Sequence, residues 1–229
     1  MDYNELISCF QDTIKMSEDE LQDATLEAID NTCVLKENIY EEVFENSNVK
    51  IKERPEDADV FVEVNTTFAT AKEYLQDGKV AVLNFANPIR PGGGVQNGAI
   101  AQEECLCRSS NLYCCLREEK VFEDYYLYHR KMDHYLSTDR LIYSKDITVF
   151  KNDNRIPALM SARNWFQVDV ITCAAPYLIG NVNIDQNSLK RVFLKRIQNI
   201  LDAAILNQVD TIILGAFGCG AFKNPPDLV

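Results

Sequence analysis

Asp169-Val-Ile-Thr-Cys-Ala174 reads as a buried strand. Behind it, Leu189, Val192, Phe193, Ile197, Ile200, Leu201, Ala204 and Ile205 recur at the 3.6-residue period and predict one long amphipathic helix over 188–207. Asp210-Thr-Ile-Ile-Leu-Gly215 then supplies a second strand. Strand, helix and strand in that order make a crossover unit, which joins parallel strands. The fold class is therefore α/β.

The pattern extends upstream. Lys79-Val-Ala-Val-Leu-Asn-Phe85 is a nearly continuous apolar run, as in a strand buried on both faces. A helix over 70–76 precedes it, closed by Asp77-Gly78. Asp59-Val-Phe-Val-Glu-Val64 alternates and predicts a further strand. A helix is expected from Gln102 through Leu106, Leu112 and Leu116 to about Glu119, and short strands over 140–143 and 146–150. Near the start, Leu6, Ile7, Phe10 and Ile14 predict a helix, and Ser17-Glu18-Asp19-Glu20 resembles a capping box opening a second one. The expected division is an acidic helical extension over 1–46 and a main domain over 47–229.

Composition bounds the function. Of 229 residues, 46% are apolar and 25% charged, which excludes a disordered, collagenous or coiled-coil chain. No apolar run approaches the ~20 residues of a membrane span. The opening Met1-Asp2-Tyr3-Asn4-Glu5 is acidic, unlike a secretory leader, so a soluble, cytoplasmic protein without membrane association is expected. The net charge is −12, and residues 1–50 alone hold 13 acids against 3 bases. With no basic stripe, duplex nucleic acid is excluded as a direct partner. A small anion would have to be held by backbone amides and helix termini. Cys105-Leu106-Cys107 and Cys114-Cys115 lack the Cys-x-x-Cys spacing of zinc sites, and His129 and His134 do not share a helix face. The eight cysteines are therefore expected to be reduced, mostly buried thiols, with no metal.

Two loops can carry chemistry, and both follow buried strands, where open α/β sheets bind ligands. One is Asn87-Pro88-Ile89-Arg90-Pro91-Gly92-Gly93-Gly94; the other is Gly215-Ala216-Phe217-Gly218-Cys219-Gly220-Ala221-Phe222. Glycines admit close approach and aim successive amides at one anion, so facing loops would suit a diphosphate. Gln102-Glu103-Glu104 then opens a helix. Adjacent residues on a helix point roughly 100° apart, so the two acids cannot flank one sugar as ordinary glycosidase carboxylates do. One would move the proton while the other holds a substrate hydroxyl.

Gly92-Gly93-Gly94, seven further residues and Gln102-Glu103-Glu104 resemble the signature of poly(ADP-ribose) glycohydrolases of the macrodomain superfamily. Leu83 to Pro88, Ala101 to Tyr113, Ile171 to Pro176 and Gly215 to Pro226 resemble the microbial type. The resemblance implies a macrodomain-like three-layer α/β/α fold with a mixed, largely parallel sheet, and ADP-ribose or poly(ADP-ribose) as ligand. It implies Glu104 as the catalytic acid, Glu103 on ribose hydroxyls and Asn87 on the distal ribose. The loops Gly92–Gly94 and Gly215–Gly220 would wrap the diphosphate, with Phe222 near the terminal ribose; Gln102, Ala216, Phe217, Gly218 and Cys219 complete the expected binding set. No cofactor is implied. Tyr177 stands where the family usually has Asn, and Val229 falls where its members normally continue. The expected activity is cleavage of ribose–ribose O-glycosidic bonds with release of ADP-ribose. The alternatives are a non-catalytic ADP-ribose-binding macrodomain and a hydrolase of a different ADP-ribosyl linkage.

Overall fold

The computed structural model of the chain describes residues 3–36, 39, 58–132, 136–180 and 182–229. Helices α1 (Tyr3–Glu18) and α2 (Gln22–Asp30) lead into strand β1 (Thr32–Leu35). Then come α3 (Thr67–Glu73), β2 (Val80–Phe85), α4 (Gln102–Ser109) and α5 (Leu112–Leu116). The aromatic stretch whose sequence did not choose between helix and strand is helical: α6 (Glu119–Val121), a π-helical turn (Phe122–Leu127) and α7 (Tyr128–Arg130). β3 (Leu141–Val149), β4 (Phe166–Cys173), α8 (Gln186–Leu206) and β5 (Thr211–Ile213) complete the order. No helix among the described residues is long and apolar enough to cross a membrane.

The five strands form one mixed sheet in the order β1-β3-β4-β2-β5. Pairing is antiparallel for β1–β3 and β3–β4, and parallel for β4–β2 and β2–β5. The crossover through α8 thus carries the chain from one parallel neighbour of β2 to the other. Alternation along the strands divides the core in two. Val80, Val82, Ile142, Val149 and Val170 face α1 and the helices α3 to α5, whereas Ala81, Leu83, Tyr143, Ile171 and Cys173 face α8. The result is three layers with the sheet in the middle.

Several expectations are corrected. Residues 59–64 form no strand; Val60, Phe61, Val62 and Val64 are strongly exposed. Alternation gives a strand one apolar face, but pairing also needs a neighbour, and no described strand pairs with this one. The Ser17 capping box does not form, because α1 runs through Ser17, whose hydroxyl donates to the Thr13 carbonyl at 2.8 Å. The expected helix from Gln102 is broken after Ser109, and residues 140–150 hold one strand with a bulge between Ser144 and Ile147. Residues 3–35 also join the sheet and its core. β1 is a strand of the sheet, Phe10 packs edge-on to Tyr113 at 4.9 Å, and Thr13 donates to the Arg108 carbonyl at 2.6 Å. The expected boundary at residue 46, like His134, lies outside the described residues.

Candidate active site

The carboxyl ends of β2, β4 and β5 point the same way, because the three strands run parallel. The loop after β2 returns to the sheet through Gln102. Its Oε1 accepts from the Phe85 amide at 2.9 Å, and its Nε2 donates to the Leu83 carbonyl at 2.8 Å and to Thr67 Oγ1 at 3.2 Å. These bonds make Gln102 a staple that fixes the first turn of α4 against the end of β2.

That staple turns both following acids inward, leaving Glu103 3% and Glu104 7% exposed. Glu103 Oε2 accepts from the Asn87 amide at 2.8 Å, and Oε1 lies 3.5 Å from Asn84 Nδ2, which also donates to Thr172 Oγ1 at 3.1 Å. Glu104 Oε1 accepts from the Gly94 amide at 2.8 Å. Its other oxygen, Oε2, is buried without a hydrogen-bond partner. One carboxyl is pinned and the other keeps an oxygen free, both at a helix start whose dipole favours negative charge.

Gly93 makes this approach possible. Its φ is +58°, and a Cβ there would stand 2.4 Å from Glu104 Oε1 and 3.0 Å from Glu103 Oε2. Gly92 and Gly94 are equally confined, by the Tyr113 ring and by Ala99. The triple glycine therefore presses its backbone against the acid pair. Asn87 Oδ1 accepts from the amides of Ile89 and Arg90, each at 3.0 Å, and so shapes the loop from its other end.

The second loop is built from neutral contacts. Gly218, at φ +77°, lies where a Cβ would meet Ala175 Cβ at 2.3 Å and Asn224 Nδ2 at 2.6 Å. Buried Asn224 donates to the Pro176 carbonyl at 2.7 Å and to the Gly218 carbonyl at 3.0 Å. It ties the loops after β4 and β5 together, and neither composition nor spacing marked it. Gly215 stands over Phe85, Ala216 and Gly220 are exposed, and Cys219 is half-buried. Phe217, expected at the ligand, is buried against Phe85 and Phe193, so its side chain belongs to the core beneath the loop. Phe222 stacks edge-on to Tyr177 at 5.2 Å. These two rings share the walls of a cleft of about 500 Å³ with Asn87, Arg90, His129 and Arg130. The two arginines supply positive charge that the sequence reading did not assign.

Burial pushes the Glu103 carboxyl well above the ordinary carboxylate range; the Asn87 amide opposes this and the neighbouring Glu104 adds to it. Tyr125 and Tyr126, fully buried on the π-helical turn, also titrate well above the ordinary tyrosine range, chiefly through desolvation. The Thr138 amide donates to His129 Nε2 at 3.2 Å, which leaves Nδ1 as the donor to the Tyr125 carbonyl at 2.7 Å. Five of the eight free cysteines are buried, in keeping with small apolar fillers.

The description "microbial-type PARG, catalytic domain" matches residues 10–152. A poly(ADP-ribose) glycohydrolase structure from Thermomonospora curvata superimposes with a TM-score of 0.85 at 29% identity, covering 99% of this chain and 84% of that one. The same enzyme bound to the inhibitor ADP-HPD gives 0.80 at 28% identity, with the same two coverages. The Deinococcus radiodurans enzyme in complex with ADP-ribose gives 0.75 at 30% identity, covering 89% of this chain and 79% of that one. No curated protein matches the chain.

Proposed function

The chain belongs to the family of microbial-type poly(ADP-ribose) glycohydrolase catalytic domains, and from that premise we propose that it hydrolyses ribose–ribose O-glycosidic bonds in poly(ADP-ribose), with Glu104 moving the proton. The observation that carries the assignment of roles is the asymmetry of the pair. Glu103 is held by the Asn87 amide, whereas Glu104 keeps a buried oxygen without a partner beside the glycine loop. Glu104 donates a proton to the leaving 2′-oxygen as the C1′–O bond breaks and its electron pair goes to that oxygen. The oxocarbenium-like ribose is stabilised by the substrate's own diphosphate. Water then adds to C1′ and gives its proton to Glu104, which restores the acid. Glu103 holds ribose hydroxyls, Asn87 the distal ribose, and the amides of the loops over 92–94 and 215–220 the diphosphate. Phe222 and its partner Tyr177 flank the terminal ribose.

The eight free thiols support a reducing, cytoplasmic compartment. The net charge of −12 supports a small ligand or polymer end rather than a duplex as the direct partner. Incubation with poly(ADP-ribose), reading released ADP-ribose by chromatography, tests the assignment. The wild-type chain should release it and Glu104→Gln should not. Binding of ADP-ribose with no cleavage of any ADP-ribosyl bond would make the protein a reader instead.

A further inference from the structure

A second cavity, of about 750 Å³, lies apart from the cleft just described. It lies beside α4, whose Gln102, Cys105, Leu106, Arg108 and Ser109 line it, and shares no lining residue with the cleft. Its walls are largely apolar, with Leu6, Phe68, Leu106 and Ile156 among them. Arg108 also lines it. This side chain is 1% exposed, and its Nη1 is buried without a hydrogen-bond partner. Nη2 reaches only Cys105 Sγ, at 3.9 Å, and no ion pair between described residues includes this arginine. Ser109 Oγ, lining the same cavity, is likewise buried and unpartnered.

A buried guanidinium without a counter-charge is costly, and a fixed planar fork of donors matches a carboxylate or phosphate. We propose that this cavity binds a small molecule with an apolar body and one anionic head, carboxylate or phosphate, whose oxygens take the free donors of Arg108 and Ser109. Apolar walls with a few convergent polar groups are the usual make-up of such a site. Arg155, Asp153 and Glu5 also line the cavity but are exposed to solvent, which leaves Arg108 as the buried charge that meets the head.

The test uses Cys105, an exposed thiol in the cavity wall, as a local reporter. Its alkylation by iodoacetamide is followed by peptide mass mapping with benzoate, phenyl phosphate or neutral benzamide present. Benzoate or phenyl phosphate should slow alkylation several-fold at saturation, and the more protective of the two identifies the head group. Benzamide should not protect. Saturating ADP-ribose should leave the protection unchanged, since the cleft is separate. Arg108→Met should abolish protection. Because that variant removes a buried side chain, a second pair keeps the question open to refutation if it misfolds. Ile156 is exposed at the cavity, so Ile156→Asp should weaken the anions by about tenfold through like charge, whereas Ile156→Asn should not. Equal protection by benzamide, protection lost to ADP-ribose, an unchanged response in Ile156→Asp, or no protection by either anion would each overturn the proposal.

Discussion

The two glycine-rich loops look alike in sequence and lean on different things. The loop over 92–94 is pressed against two carboxyls: a side chain at Gly93 would strike Glu104, and the Gly94 amide binds the same residue. The loop over 215–220 is shaped by Phe85, Ala175 and Asn224, all uncharged, and at Gly220 nothing lies within 4 Å of an added Cβ. On the proposed assignment of roles, the first loop positions the reacting groups, and the second presents amides without touching them. A glycine in the first should govern turnover, and one in the second should govern binding or stability.

The sharpest way to isolate the first loop's role is Glu104→Gln. It keeps the size and an oxygen for the Gly94 amide but cannot give or take the proton. ADP-ribose release should fall by at least about three orders of magnitude, with little change in calorimetric ADP-ribose affinity. Gly93→Ala comes next. The new methyl must displace the Glu104 carboxyl, and a misplacement of that size costs kcat about a hundredfold in steady-state assays. Equal kcat in Gly93→Ala and wild type would erase the distinction between the loops. Gly218→Ala should instead weaken ADP-ribose binding and lower the melting temperature, through its positive φ and the contact with Ala175 and Asn224. A loss of about 1–3 kcal/mol in chemical denaturation is expected.

A smaller effect separates the two carboxyls by pH. Glu103 titrates well above its unfolded value because burial disfavours its charge. Below the ordinary carboxylate range it is protonated in both folded and unfolded chains, and wild type and Glu103→Gln should then respond alike to acid. As pH rises through the raised value, the folded wild type must ionise a buried group and loses stability that Glu103→Gln keeps. The gap in melting temperature should open toward alkaline pH, in favour of the variant. The least effect is expected of Gly220→Ala, where the methyl enters open space. Its affinity and stability should stay within about 0.5 kcal/mol of wild type.

Much of this architecture is legible in the residues themselves, because burial on both faces leaves a plain mark. Val80 to Leu83, and Val168, Val170, Ile171 and Cys173, are apolar whichever layer each residue meets. The long helix over 186–206 shows its single apolar stripe directly. The acid pair and the glycine triple stand out by spacing. What stayed hidden depends on partners distant in sequence. Gln102 has the composition of a ligand-binding amide but spends both ends on Phe85, Leu83 and Thr67. Phe217 sits among glycines, yet its ring belongs to the core because α8 supplies Phe193 beneath it. Asn224 looks like an ordinary turn residue until Pro176 and Gly218 are brought to it. Residues 59–64 show the reverse error: a local pattern that implies a strand without the neighbour needed to complete it.

The seat of α1 has a consequence in time. Phe10 and Leu6 leave the ribosome well before Val95, Leu106 and Tyr113, which join the core beside this helix and follow some hundred residues later. At roughly 5–20 residues per second, that is a wait of about 5–20 seconds. Gly98, whose close approach to the Tyr3 carbonyl leaves no room for a side chain, arrives in the same interval. During synthesis the apolar stripe of α1 is therefore displayed to the cell's chaperones before the chain can cover it. A helix made early is thus among the parts that settle late.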